Sequence, residues 1–193
     1  MNKKEGLSII IGIVLSGLIG PAAPAVAGEL PGRIPLKGQV LMVRHAQAPG
    51  SGDPENFQLG DCTTQRNLDE RGRNQARQIG VWLRANGIHA ARVYASQWCR
   101  CLETAALMNV GPVRELPALN SFYERPQDRA SNLSALRAFL ARQPADGDLI
   151  ILVTHYVTIA GITGVAVSSG EGVLLKLADG GQLTFVRRQN FVF

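Results

Sequence analysis

Lysine is nearly missing from this chain. There are four Lys against sixteen Arg, and the formal net charge is +5. No run of lysines occurs, and aromatic residues (6% of the chain) are not interleaved with the basic ones, which argues against a nucleic-acid surface. Arginine's planar fork suits an oxyanion gripped by paired N–H groups, so a small anionic ligand is the better expectation. Metal-ligand spacing is absent as well. The three histidines lie far apart, and Cys99-x-Cys101 is tighter than the usual zinc pairs, so neither a metal nor a cofactor is expected. Charged residues amount to 18% and hydrophobic ones to 46%, enough for a packed core and against wholesale disorder. The 193 residues suffice for one ordinary domain and not for two full ones. With few aromatics and 21 Gly, the core is expected to be aliphatic and the turns tight.

The start of the chain has its own pattern. Lys3 and Lys4 precede an uncharged run from Leu7 to Ile19, Pro21 ends it, and Ala25-Val26-Ala27 offers small residues for a signal peptidase. The run is shorter than the roughly 20 apolar residues that span a bilayer. Residues 1–27 are expected to be a signal peptide and 28–193 a single domain, exported to a periplasm or secreted. The alternative is an uncleaved anchor, which would be the chain's only tie to a membrane. In an oxidising compartment the odd count of Cys62, Cys99 and Cys101 suggests one disulfide, from Cys62 to Cys99 or to Cys101, with one thiol left over. Three reduced thiols are the other possibility.

Beyond this segment, strand and helix patterns alternate. Gln39–Val43 is an apolar run typical of a buried parallel strand. A polar, Gly/Pro-rich loop covers Ala46 to Arg66, and helical spacing of Ala76, Ile79, Gly80 and Leu83 follows Leu68 and stops at Asn86-Gly87. Strands are expected at Arg92–Ala95, Val113–Leu116 and Leu149–Val153. Helices are expected over Cys101–Val110, around Leu133–Leu140 and over Val157–Thr163, and a terminal hairpin over 172–188. This order predicts an α/β three-layer sandwich with a mostly parallel central sheet.

Ligands of such sheets bind beyond the carboxyl ends of the strands. Arg44-His45 stands at the end of the first strand, Ser96, Trp98 and Arg100 after the second, and Thr154-His155 after the most apolar one. Two His and two Arg thus converge from separate parts of the chain, whereas His89 falls in an ordinary surface loop. Without a metal, that set suits phosphoryl transfer: arginines grip the oxyanion, one neutral imidazole attacks phosphorus, and a second steadies the developing charge.

The residues also resemble the histidine phosphatase superfamily, with its phosphoglycerate mutase-like fold. Val43-Arg44-His45-Ala46 matches the Arg-His-Gly at the first strand end, and Leu68-Asp69-Glu70-Arg71-Gly72-Arg73-Asn74-Gln75-Ala76 the next helix start. Ser96, Arg100 and Glu103-Thr104-Ala105 match the third element, and Val153-Thr154-His155 the last. The resemblance implies a phosphohistidine on His45, with Arg44, Arg100 and His155 on the phosphate, Arg66 as a further cation, and no cofactor. Arg71, Arg73, Arg77 and Arg84 read mostly as the solvent face of the helix.

The chain departs from the family twice. Ala46 replaces a Gly, and both usual places for the general acid lack one: Leu119-Asn120-Ser121-Phe122 in one branch, His155-Tyr156 in the other. Glu124 is the candidate acid and Asp128 the second choice. If neither serves, good leaving groups should be preferred, since a poor alkoxide needs a proton in the transition state. The signal pattern and the resemblance together imply an exported, metal-independent phosphatase acting on a small phosphorylated substrate, and the resemblance to exported bacterial members suggests a phosphosugar of the cell envelope. The alternative is a phosphate-binding module of the same fold with little or no turnover.

Overall fold

The computed structural model describes residues 34–191, together with Met1. The expected signal segment, residues 1–27, lies outside the described residues apart from Met1. A six-stranded sheet has the order β3-β2-β4-β1-β5-β6. The strands are β1 (Gln39–Arg44), β2 (Arg92–Ala95), β3 (Val113–Glu115), β4 (Ile150–Thr154), β5 (Gly172–Leu177) and β6 (Leu183–Gln189). The pairs β1/β4, β2/β4 and β2/β3 are parallel, whereas β1/β5 and β5/β6 are antiparallel. The helices are α1 (Glu70–Ala85), α2 (Cys99–Met108), α3 (Arg129–Ala141) and α4 (Tyr156–Thr163).

The sandwich follows from the two-residue period of the central strands. Leu41, Val43, Ile151 and Val153 pack with Ile79, Leu83, Ala105 and Met108 of α1 and α2. Val40, Met42, Ile150 and Leu152 turn to the other face, with Leu136 and Leu140 of α3 and Ile159 of α4. Because helices cover both faces, β1 and β4 read as continuous apolar runs, as parallel strands buried on two sides do. Both strands end at the same level, with Arg44 paired in register to Thr154, so the residues that follow them emerge together.

Local chemistry sets the helix ends. Asp69 caps α1 by accepting the Gly72 N–H at 2.7 Å. Gly72 cannot carry a side chain, since a Cβ there would run into the carbonyl of Gln47 in the loop after β1. Helix α2 starts at Cys99, two residues before the expected Cys101, and ends at Met108. Trp98 offers no side-chain cap, but the Cys99 N–H donates to Gln65 Oε1 at 3.0 Å. A partner from a distant loop therefore satisfies a helix-end donor, which no local pattern could reveal. Arg100 consequently sits in the first turn of α2 and not in a loop. Arg84 is not simply solvated either: its Nη1 donates to the carbonyls of Met108 and Asn109 at the end of α2. Arg71, Arg77 and His89 are exposed, as expected.

Of the three cysteines, Cys62 and Cys99 form the disulfide, and Cys101 is a buried free thiol. The bridge fastens the long loop after β1 to the first residue of α2. Among the described residues no helix is long and apolar enough to cross a membrane.

Candidate active site

At the carboxyl ends of β1, β2 and β4 lies a cavity of about 270 Å³. Arg44, His45, Arg66, Arg100 and His155 all line it, so the separated residues do converge. The two imidazoles stand edge to face with centroids 5.5 Å apart. Glu124 reaches the rim, but Asp128 does not: it lies in the adjoining groove under α3. The second-choice acid is therefore not among the residues that line the cavity.

His45 is 2% exposed. Its backbone N–H donates to the Thr154 carbonyl at 2.9 Å, which ties it to β4. Its Nδ1 is 2.8 Å from the Ala46 carbonyl. A carbonyl only accepts, so Nδ1 carries the proton and Nε2 the lone pair. Burial, helped by the charges of Arg100, Arg44 and Arg66, holds the imidazole pKa down to about 3. The ring is thus neutral at any physiological pH. Ala46 fits because this position needs no left-handed backbone: among the described non-glycine residues only Asn109 has a positive φ. The Ala46 N–H donates to Thr104 Oγ1 at 3.0 Å, and that hydroxyl donates to the Arg100 carbonyl at 2.6 Å. Thr104, present in the sequence motif without a role, locks the nucleophile turn to α2.

His155 precedes α4 and is also buried. Its Nε2 is 2.9 Å from Ser96 Oγ. The Ser96 hydroxyl donates to Asn120 Oδ1, which also accepts the Gln97 N–H. Nε2 is thus committed to Ser96, with the buried Cys101 Sγ 3.5 Å from the same nitrogen, and among the described residues Nδ1 has no hydrogen-bond partner. Burial, followed by the charge of Arg100, pushes the His155 pKa well below the usual imidazole value. Asn120 and Ser96 thus orient the second imidazole, a role that strand-end spacing alone did not show.

The arginines are held differently. Arg44 donates from Nη1 to the Val167 carbonyl at 3.1 Å, its guanidinium lies 5.2 Å from the Tyr156 ring centroid, and its buried Nε has no partner. Arg66 donates from Nε to the Gly52 carbonyl and from Nη1 to that of Ala48, so it is built into the loop. Burial lowers the pKa of both groups, Arg100 being the largest like-charge neighbour of Arg66. Arg100 is 3% exposed and meets Asp53, a carboxylate that the sequence reading passed over. The one hint was its place, as the first acid in a Gly/Pro-rich loop directly after the nucleophile strand. Glu124 is exposed and its Oε1 accepts the Asp53 N–H at 3.0 Å. Among the described residues no group of three or more His, Cys, Asp or Glu is placed to hold a metal ion.

The family model for the histidine phosphatase superfamily (branch 1) matches residues 40–122, a span that holds Arg44, His45, Arg66 and Arg100. Over that span the chain is similar to the histidine phosphatase superfamily. Its fold agrees with solved structures of phosphatases. The protein histidine phosphatase SixA complexed with tungstate is 17% identical at a TM-score of 0.54, over 79% of this chain and 97% of that one. Mycobacterial glucosyl-3-phosphoglycerate phosphatase is 16% identical at 0.56, over 78% and 96%. A phosphoserine phosphatase mutant from Entamoeba histolytica in complex with phosphoserine is 13% identical at 0.53, over 79% and 97%. These likenesses establish the fold alone. No curated protein sequence matches the chain.

Proposed function

We propose that this chain is a histidine phosphatase that hydrolyses a small phosphate ester or anhydride in two steps through a phosphohistidine on His45, without a metal and after export. The observation that carries the reading is the tautomer of His45. Its Nδ1 is committed to the Ala46 carbonyl, and its neutral Nε2 is left among three arginines. In the first step the Nε2 lone pair forms the N–P bond while the P–O bond to the leaving group breaks and its electron pair departs with the oxygen. Arg44, Arg100 and Arg66 balance the charge on the nonbridging oxygens. His155, held through Nε2 by Ser96, presents Nδ1 to the phosphoryl group and becomes a donor once protonated. In the second step water attacks phosphorus, the N–P bond breaks, and phosphate and neutral His45 are regenerated.

Glu124 is the carboxylate of this cavity best placed to protonate a leaving group. One of its oxygens is engaged by the Asp53 N–H, which leaves the other for that task. An exposed, half-committed acid suits substrates whose leaving groups need little help, among which anhydrides and phosphoramidates rank first. A phosphosugar of the cell envelope would lean on Glu124 more heavily. The decisive experiment is a rapid quench with labelled p-nitrophenyl phosphate. An acid-labile, alkali-stable phosphoprotein should accumulate in the wild type, and His45→Ala should abolish it together with turnover. A His45→Ala protein with full activity would end the proposal; phosphate affinity without any turnover would leave a binding module of the same fold.

A further inference from the structure

Arg100 has five N–H donors, and the protein spends three of them. Asp53 takes two end-on, Nη1 to Oδ1 at 2.7 Å and Nη2 to Oδ2 at 3.1 Å. The Arg66 carbonyl takes the second Nη1 proton at 3.2 Å. What is left is the Nε–H and the outer Nη2–H, one complete side-on fork. Nε is buried and has no protein partner, and the guanidinium lines the cavity that holds both imidazoles. An arginine pinned at its tip and unpartnered along its side presents two parallel donors in a set direction, the geometry that grips a tetrahedral oxyanion bidentately.

Asp53 is itself overdetermined. Oδ1 also accepts the Arg66 N–H at 3.1 Å, and Oδ2 the Trp98 Nε1–H at 3.0 Å. Its own N–H is tied to Glu124, and its side chain is 5% exposed. Four donors on two oxygens keep the carboxylate ionised and still. We infer that Asp53 is the positioning residue of the phosphate grip: it holds Arg100 end-on so that the Nε/Nη2 edge meets the phosphoryl oxygens, and it touches no substrate itself. This rests on the phosphoryl-transfer reading of the same site and adds the part that makes one of its arginines directional. The rival arrangement is a carboxylate that occupies the anion's own place and must be displaced. The unpartnered fork argues against it, because the side-on edge offers an anion two donors that Asp53 does not use.

A double-mutant cycle separates the two. Wild type, Asp53→Asn, Arg100→Lys and the double variant are assayed for kcat/KM on p-nitrophenyl phosphate and for binding of inorganic phosphate by calorimetry. Asp53→Asn is expected to lower kcat/KM about 10²-fold, the scale of a misdirected catalytic group, and to weaken phosphate binding. In the Arg100→Lys background the same change should cost less than about threefold, since no fork remains to be aimed. Tighter phosphate binding by Asp53→Asn would overturn the inference in favour of a displaced plug. An equal loss in both backgrounds, or no loss, would overturn it too. If Asp53→Asn does not fold, Asp53→Ser, which keeps an acceptor without the charge, takes its place in the cycle; failure of both to fold would make Asp53 a purely structural residue. Should the wild type bind phosphate but turn nothing over, the phosphatase reading fails while the phosphate cycle still decides the role of Asp53.

Discussion

At the scale of single residues, protonation is the variable to follow. His45 in the unfolded chain takes a proton near pH 6.5, whereas in the fold burial holds it neutral down to about pH 3. The unfolded state therefore binds more protons between those limits, and stability rises with pH across them. The contribution is complete above pH 6.5 and is lost as pH falls toward 3. His45→Gln should flatten the acid side of the stability curve, as urea titrations at stepped pH would record, and nitrogen NMR should find His45 neutral, with its proton on Nδ1, at pH 5. Glu124 is open to a graded test. Glu124→Gln should slow alkyl phosphates by about 10²-fold or more while changing p-nitrophenyl phosphate little, because acid catalysis matters in proportion to the leaving group's need for a proton. Asp128→Asn should change neither. An even loss across leaving groups would assign Glu124 to binding.

Among the elements, the long loop from His45 to Asp69 is the least supported by regular structure, and it carries Asp53 and Arg66. Its anchors include the disulfide, the Glu124 bond, the Gln65 bond to α2 and the bonds of Asp53 to Arg100 and Trp98. The bridged cysteines are 37 residues apart, a separation for which chain entropy gives about 4 kcal/mol as an upper figure. Cys62→Ser is expected to lower stability by about 2–4 kcal/mol and to raise KM, because the loop's cation and carboxylate lose their tether. Chemical denaturation and steady-state kinetics would measure the two effects. Cys101 should behave oppositely: burial pushes its thiol up to about 12, so the folded protein should leave it unlabelled by iodoacetamide at pH 8 and expose one thiol on unfolding.

For the molecule as a whole, export is a proposal with a direct test. The chain produced from residue 28 onward should fold cooperatively and keep the turnover of the full chain, because residues 1–27 carry the pattern of a cleavable signal and not of a domain element. Purification from a periplasmic extract with a new N-terminus at Gly28 would support cleavage, and an N-terminus at Met1 would argue for the anchor. EDTA should leave activity unchanged, since charge balance in the site is supplied by arginines. Loss of activity that a divalent ion restores would contradict the proposed mechanism.

Much of this protein was legible in its residues. The continuous apolar runs Gln39–Val43 and Leu149–Val153, helical spacing after Leu68 and the positions of Arg44, His45, Arg100 and His155 at or shortly after strand ends are local signals, and local signals survive in sequence. They determined the sandwich and four of the residues that line the cavity. The disulfide partner of Cys62 was not decided there, because pairing depends on which side of the first turn of α2 faces the loop. The start of α2 at Cys99 was hidden for the same reason, its cap coming from Gln65. Asp53 was missed altogether: an acid in a polar loop has no periodicity, and its meaning appears only when tertiary packing brings it against the tip of Arg100. Which histidine nitrogen is engaged was likewise settled by the fold, through the turn that aims the Ala46 carbonyl at His45 and through Ser96, which meets His155 only once the strands lie side by side.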